Sequence, residues 1–263
     1  MSYSYYEVYT NALRAFEGLG FPYGADEDSA FIITWLELYN LDGVHLLASN
    51  INKFDQKFDG VIDHINSDNL INLKTVKSTN LKIKSLLASN KNINNLCLSS
   101  INQTAGYGRR NKKWFSYKGN IHLSILLKPN CKINEVNQLS FMTSISIGDT
   151  LKKIKKKINI NYKWPNDILL NKKKIGGILV ETSTYLNKNI KWVIIGVGLN
   201  LIKFPKLKKK EFQITSLEKE KIYINKEDFI DSFLEIFFKN YESWKKKGFN
   251  FIKKKWMSSM FKK

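Results

Sequence analysis

Only three arginines occur among the 263 residues, and two of them, Arg109 and Arg110, stand side by side. Their segment, Gln103 to Trp114, also holds Gly106, Gly108, Lys112 and Lys113. Lysine serves nearly every other cationic position, so an arginine pair marks a site that needs a planar, permanently charged fork. Such a fork grips a phosphate or carboxylate through two hydrogen bonds. Glycines let backbone approach a ligand closely and adopt positive φ. Trp114 can fix the far end of the loop on a core. By itself the segment also reads as a solvated loop, and Gly-x-Gly without a third glycine is no dinucleotide fingerprint.

Three further segments have chemical character. In Lys163-Trp-Pro-Asn166-Asp167-Ile-Leu-Leu170 a lysine ends a strand and Trp164-Pro165 forces an extended corner before polar Asn166 and Asp167. Flanked by an aromatic and a proline, Lys163 differs from the solvated lysines at 172–174. Lys174-Ile-Gly-Gly177-Ile-Leu-Val-Glu181 and Ile195-Gly-Val-Gly-Leu-Asn200 both place glycines inside strands. Glycine weakens a strand, so it marks close approach of a ligand or of another chain segment. Tight strand packing alone also accounts for each.

The elements that must position these residues follow from periodicity. Helices are predicted over 5–16 and 28–40, joined through Gly18, Gly20, Pro22 and Gly24. From Ile71 strands and helices alternate: a strand Ile71–Val76, a helix capped by Ser78-Thr79-Asn80 and running to Ser89, and strands Leu96–Ile101 and Ile121–Leu127. A long amphipathic helix is predicted over 138–157. Strands follow at 162–164, 168–170, 175–181 and 192–199, with a hairpin turn at Asn171–Lys173. A helix over 228–244 carries Ile230, Phe233, Leu234, Phe237, Tyr241 and Trp244 on one face. Clustered strands with few long helices predict an α+β domain with a mixed, largely antiparallel sheet.

Charge divides the chain. Residues 1–60 carry three basic and nine acidic side chains, whereas the whole chain is at +20, with 43 basic and 23 acidic. An acidic segment is a poor partner for phosphates, so its two helices are not read as a DNA-binding pair. It faintly resembles a small uncharacterised bacterial domain, from which no function follows. The lysine runs are scattered and not interleaved with aromatics, so they read as solvated faces, and no nucleic-acid partner is expected. Two cysteines make neither a disulfide scaffold nor a metal site. No apolar stretch reaches the length of a membrane span, and the N-terminus lacks signal-peptide character, so a cytoplasmic protein without a membrane partner is expected. His45, His64 and His122 are read as structural or exposed.

The four segments in this order, together with Ser78-Thr79-Asn80, resemble the biotin protein ligases, and the similarity runs from Ile71 to Trp256. The resemblance implies the biotin/lipoate ligase-like catalytic fold, with helices packed on one face of the sheet. The domains expected are an acidic helical segment at 1–60, a linker at 61–70, the catalytic domain at 71–256 and a stub at 257–263. It implies an enzyme that uses biotin, ATP and Mg²⁺ to make biotinyl-5′-AMP. That enzyme passes the biotinyl group to a lysine of the biotin carboxyl carrier protein of acetyl-CoA carboxylase. By this resemblance Lys163 and Arg109 are catalytic. Ser78, Thr79, Asn80, Gln103, Tyr107, Gly108, Arg109, Lys163 and Gly177 bind biotin. Gly106, Arg110, Trp114, Asn166 and Asn200 hold ATP or the adenylate, with Mg²⁺ placed near Asn200. A homodimer through the sheet is one assembly the family uses.

The chain also departs from the family pattern. The usual loop reads Gly-Arg-Gly-Arg-Arg-Gly-Arg, where this chain has Gly106-Tyr-Gly-Arg-Arg-Asn-Lys112. Asn111 in place of glycine is tolerable because asparagine accepts positive φ. Loss of charge at Tyr107 is expected to loosen adenylate retention. The small C-terminal β-barrel of bacterial members and the DNA-binding domain of the repressors are not recognised. The alternatives are a lipoate or octanoate ligase-type enzyme of the same fold, or a degenerate or fused chain; a DNA-binding repressor fits poorly.

Overall fold

The computed structural model describes residues 5–18, 70–89, 93, 95–186, 188–205 and 213–261. The chain divides into two compact units, residues 1–63 and 64–263. In the first, helix α1 (Tyr5–Gly18) buries Val8 and Ala12, four residues apart on one face. The helix expected over 28–40 and residues 61–69 of the expected linker lie outside the described residues.

The second unit is built from β1 (Leu70–Val76), α2 (Thr79–Ser89), β2 (Leu96–Gln103), β3 (Ile121–Leu127), α3 (Val136–Ile154) and β4 (Ile160–Lys163). Then follow β5 (Asp167–Leu170), β6 (Lys173–Thr184), β7 (Ile190–Leu199), α4 (Lys226–Lys247) and α5 (Phe249–Ser258). Seven strands form one sheet in the order β1-β2-β3-β7-β6-β5-β4. Only β1 and β2 are parallel, so the α+β class with a largely antiparallel sheet holds. The β5–β6 hairpin turns through Asn171 and Lys172 at φ of 50° and 64°, the left-handed pair that matches the sheet's twist.

Side-chain alternation gives the sheet two apolar faces. On one, Ile121, Leu123, Ile125 and Leu127 of β3 meet Val193, Ile195, Val197 and Leu199 of β7 beneath α3, α4 and α5. On the other, Leu98, Leu126 and Ile194 pack with Ile83 of α2. The helices are therefore divided: three cover one face, and the short α2 covers part of the other. Along α4, Phe229, Phe233, Phe237, Tyr241 and Trp244 form a ladder with each ring 5.7 to 6.4 Å from the next. Asn225 caps that helix by accepting from the Asp228 amide at 2.7 Å.

Two features were not foreseen in the sequence. Gly248, at φ of 72°, ends α4, but the chain re-enters helix as α5 and packs Phe249 and Trp256 on Phe141 of α3. The end of the chain, expected as a stub, includes backbone that covers the outer edge of β4. The Tyr162 amide donates to the Ser259 carbonyl, and the Phe261 amide donates to the Tyr162 carbonyl. Cys97 and Cys131 are free and buried. Among the described residues no helix is long and apolar enough to cross a membrane.

Two outcomes follow for stability. A Cβ at Gly148 of α3 would collide with the Tyr162 ring of β4. Gly148→Ala is expected to cost about 1–3 kcal/mol, as overpacking does, measured by urea unfolding. His122 is buried on β3 with Nδ1 3.4 Å from the Ser100 carbonyl, and burial pushes its imidazole down to about 4. Between about 4 and the ordinary 6.5 the unfolded chain binds a proton that the native state does not, so stability rises with pH across that window. His122→Leu is expected to flatten that slope in unfolding measured at a series of pH values.

Candidate active site

A cavity of about 460 Å³ opens on the α2 face of the sheet. It draws together all four segments singled out in the sequence, and Ser78, Thr79, Asn80, Gln103, Tyr107, Gly108, Arg109, Arg110, Trp114, Asn166, Gly177 and Asn200 all line it. Lys163 and Gly106 do not.

The strand glycines explain why a cavity forms there. A Cβ at Gly196 would lie 2.6 Å from Asn80 Oδ1, and one at Gly198 would lie 2.5 Å from the Trp114 ring. Gly198 pairs across the sheet with Gly177, whose Cβ would also meet the indole, at 3.7 Å. The sheet surface is stripped of side chains so that α2 and the loop can come down onto it. Trp114 Nε1 is buried without a protein acceptor, a donor that a ligand can satisfy.

One end of the cavity is polar but neutral. The Ser124 hydroxyl bonds Asn80 Oδ1 at 2.5 Å and Thr79 Oγ1 at 2.7 Å. The Thr79 amide donates to Gln103 Oε1 at 2.9 Å, and Gln103 Nε2 donates to Ser116 Oγ at 3.0 Å. Asn80 Nδ2 donates to Glu181 Oε2 at 2.8 Å, as does the Tyr107 hydroxyl, also at 2.8 Å. Lys84 Nζ reaches the other Glu181 oxygen at 2.7 Å. Burial alone would raise the Glu181 carboxyl, but hydrogen bonds from Lys84, Asn80 and Tyr107 outweigh it and hold it below the usual range. Burial and the Glu181 carboxylate push the Tyr107 phenol well above its ordinary value, so it stays a neutral donor.

The loop between β2 and β3 is folded on itself. The Trp114 amide donates to the Gly106 carbonyl at 2.9 Å, and the Gly108 amide donates to the Lys112 carbonyl at 2.7 Å. Gly106 faces this turn rather than the cavity, because its missing Cβ would strike Ser116 Oγ at 2.9 Å. Asn111 takes φ of 55°, the value its replacement of glycine requires, and Arg110 beside it takes φ of 53°. These two left-handed residues turn the cationic run Arg109 to Lys113 across the cavity mouth.

The cationic end holds a correction. The strand lysine that lines the cavity is Lys174, at the start of β6, with Nζ 2.5 Å from Asp167 Oδ1. Lys163 stands on the edge strand β4, two strands from β6 and hence about 10 Å to the side. Between them the Trp164–Pro165 bond is cis, and Asn166 is tied to β6 through its Nδ2, which donates to the Ile178 carbonyl at 2.9 Å. Asn200 is buried, donating to the Thr215 carbonyl at 3.1 Å and accepting from Asn120 Nδ2 at 3.5 Å. That leaves it one donor and one acceptor for a ligand. Among the described residues no group of three or more His, Cys, Asp or Glu is placed to hold a metal ion. Lys174, Asp167, Glu181 and Ser124 were not assigned roles from sequence. The signal for Ser124 was a polar residue inside β3, whose other residues, His122 apart, are apolar.

Comparison with known proteins agrees with this geometry. Residues 73–200 match the model of the Biotin/lipoate A/B protein ligase family. Residues 3–111 match a family of unknown function, DUF3726, which overlaps the first. The Bifunctional ligase/repressor BirA of Bacillus subtilis is 31% identical over 189 residues, 70% of this chain and 57% of that protein. A Biotin--[acetyl-CoA-carboxylase] ligase of Paracoccus denitrificans is 36% identical over 104 residues, 39% of this chain and 43% of that one. The biotin protein ligase from Aquifex aeolicus in complex with biotin and ATP superimposes with a TM-score of 0.60 at 28% identity, covering 73% of this chain and 78% of that one. The chain spans about three-fifths of the length of the two Bacillus BirA proteins it matches and under half of those from Salmonella typhimurium and Escherichia coli. With the family's model, its fold and a cavity where its motifs meet, residues 73–200 belong to the Biotin/lipoate A/B protein ligase family.

Proposed function

We propose that this chain activates biotin with ATP and transfers the biotinyl group to a lysine of a biotin carboxyl carrier protein. The observation that carries the reading is one cavity with two unlike ends. Ser78, Thr79, Asn80 and Gln103 form a neutral, hydrogen-bonding end suited to a ureido ring, with Leu179 as an apolar wall. Arg109, Arg110, Lys112, Lys113 and Lys174 form the other, suited to a carboxylate meeting a triphosphate.

In the first step a biotin carboxylate oxygen bonds to the α-phosphorus and the bond to the bridging oxygen breaks, releasing pyrophosphate. Two anions must meet, so fixed positive charge is needed where negative charge gathers. Lys174, held by Asp167, is the cation rooted in the sheet, and we assign to it the role that the family resemblance placed on Lys163. Arg109 and Arg110 reach from the loop as forks for phosphate oxygens. Trp114 and Asn166 lie on the adenine side, and Asn200 offers its spare donor and acceptor to the phosphates. Magnesium enters with the nucleotide as its counter-ion. In the second step the carrier lysine amine attacks the mixed anhydride, an amide forms and AMP leaves. A closed loop keeps water from the anhydride meanwhile.

The test is pyrophosphate release from biotin and Mg-ATP, followed by label transfer to a carrier domain. Lys174→Ala is expected to slow the first step about 10²–10³-fold, as loss of a preorganised charge does. Lys163→Ala is expected to cost less than about threefold, since a half-buried lysine outside the cavity lining does not face the reacting groups. Equal losses in the two variants would return the role to Lys163. A folded wild-type protein that releases no pyrophosphate would end the ligase reading.

A further inference from the structure

Glu181 lies at the far end of the Lys174–Glu181 segment, on the same face of β6 as Gly177, and nothing in the reaction calls for it. Yet it joins two parts of the cavity that are distant in sequence. One of its oxygens accepts from both Asn80, at the start of α2, and Tyr107, in the loop; the other accepts from Lys84. Because Nδ2 of Asn80 is spent on a carboxylate, its Oδ1 must face Ser124. The amide orientation at the neutral end is thereby determined. The circuit also closes on itself. From Asn80 it runs through Ser124, Thr79 and Gln103 to Ser116, the other end of the same loop. Both ends of the loop are thus bound to one polar network on α2.

We propose that Glu181 is a positioning residue: it fixes the Asn80 amide and latches Tyr107, so that the loop bearing Arg109 and Arg110 is closed before any ligand binds. Tyr107 stands where the family pattern has an arginine, and a phenol suits this place because it gives one directed hydrogen bond to a half-buried carboxylate while leaving Lys84 as that carboxylate's cation. The loosening expected from loss of charge at Tyr107 is replaced by a neutral latch. The proposal rests on the ligase reading for its kinetic consequence only.

The loop supplies its own reporter, since Arg109, Arg110, Lys112 and Lys113 are trypsin sites within it. In the full-length, ligand-free protein, cleavage there tracks the open population of the loop. Tyr107→Phe, which removes one hydroxyl, is expected to raise the cleavage rate about tenfold or more, the factor carried by a hydrogen bond to a charged partner. Glu181→Gln is expected to do the same, and the double variant to be cut no faster than the faster single, because both break one latch. Cleavage of Tyr107→Phe at the wild-type rate, or additive effects in the double variant, would overturn the proposal. With biotin and Mg-ATP, the Tyr107→Phe KM for biotin is expected to rise about tenfold while the rate at saturation falls less than about threefold. An equal fall in both would mean transition-state loss and would contradict positioning. Wild-type protein that makes no adenylate would fail the ligase reading and leave the proteolysis result to decide the latch.

Discussion

Close approach to a bare stretch of sheet is the constraint on which this site depends. Gly196 and Gly198 on β7 and Gly177 on β6 present backbone alone, and Asn80 and Trp114 lie where Cβ atoms would otherwise stand. Two parts distant in sequence, a helix N-terminus and a long loop, are brought into register by that surface. The apolar core on the opposite face, with its aromatic ladder along α4, anchors the strands that make up this floor. Glycine costs each strand some stability, and the antiparallel pairing of β6 with both β5 and β7 offsets it.

From that floor the division of labour follows. Where α2 descends, its first residues and Gln103 make a fully bonded neutral end, which suits recognition of an uncharged polar ring. Where the strands emerge toward the loop, Lys174 and the arginine pair supply charge that a carboxylate and a triphosphate need if they are to approach each other. Glu181 stands at the neutral end, where Lys84 already answers its charge. The family match over residues 73–200, the fold shared with a ligase holding biotin and ATP, and this gradient from neutral to cationic all fit the reaction proposed above.

Much of this was legible in the sequence, and the reasons are local. Strand glycines break a pattern that side-chain packing would otherwise dictate, and the arginine pair stands out against a lysine-rich background. The hairpin at Asn171 and the buried face of α4 are set by turn chemistry and helical spacing, which short windows reveal. Lateral order in a sheet is not revealed that way. Lys163 and Lys174 are neighbours along the chain, but only the order β7-β6-β5-β4 puts one at the edge and the other at the cavity. Glu181 meets Asn80 across 101 residues, and Ser124 meets it across 44, so neither pairing leaves a local trace. Helix α5 was hidden by Gly248, which truly ends α4 but does not end the helical layer. The ligand proposed here was suggested by the ordered set of motifs, not by any residue type or spacing alone.

Titration calorimetry of biotin into wild-type and Gly196→Ala protein tests the glycine floor most directly. The added methyl would displace the Asn80 amide and with it more than one hydrogen bond at the neutral end. The predicted result is measurable biotin binding by the wild type and affinity weaker by about a hundredfold in the variant, with both folded. Equal affinity in the two proteins, or folded wild-type protein that gives no heat with biotin, would contradict it.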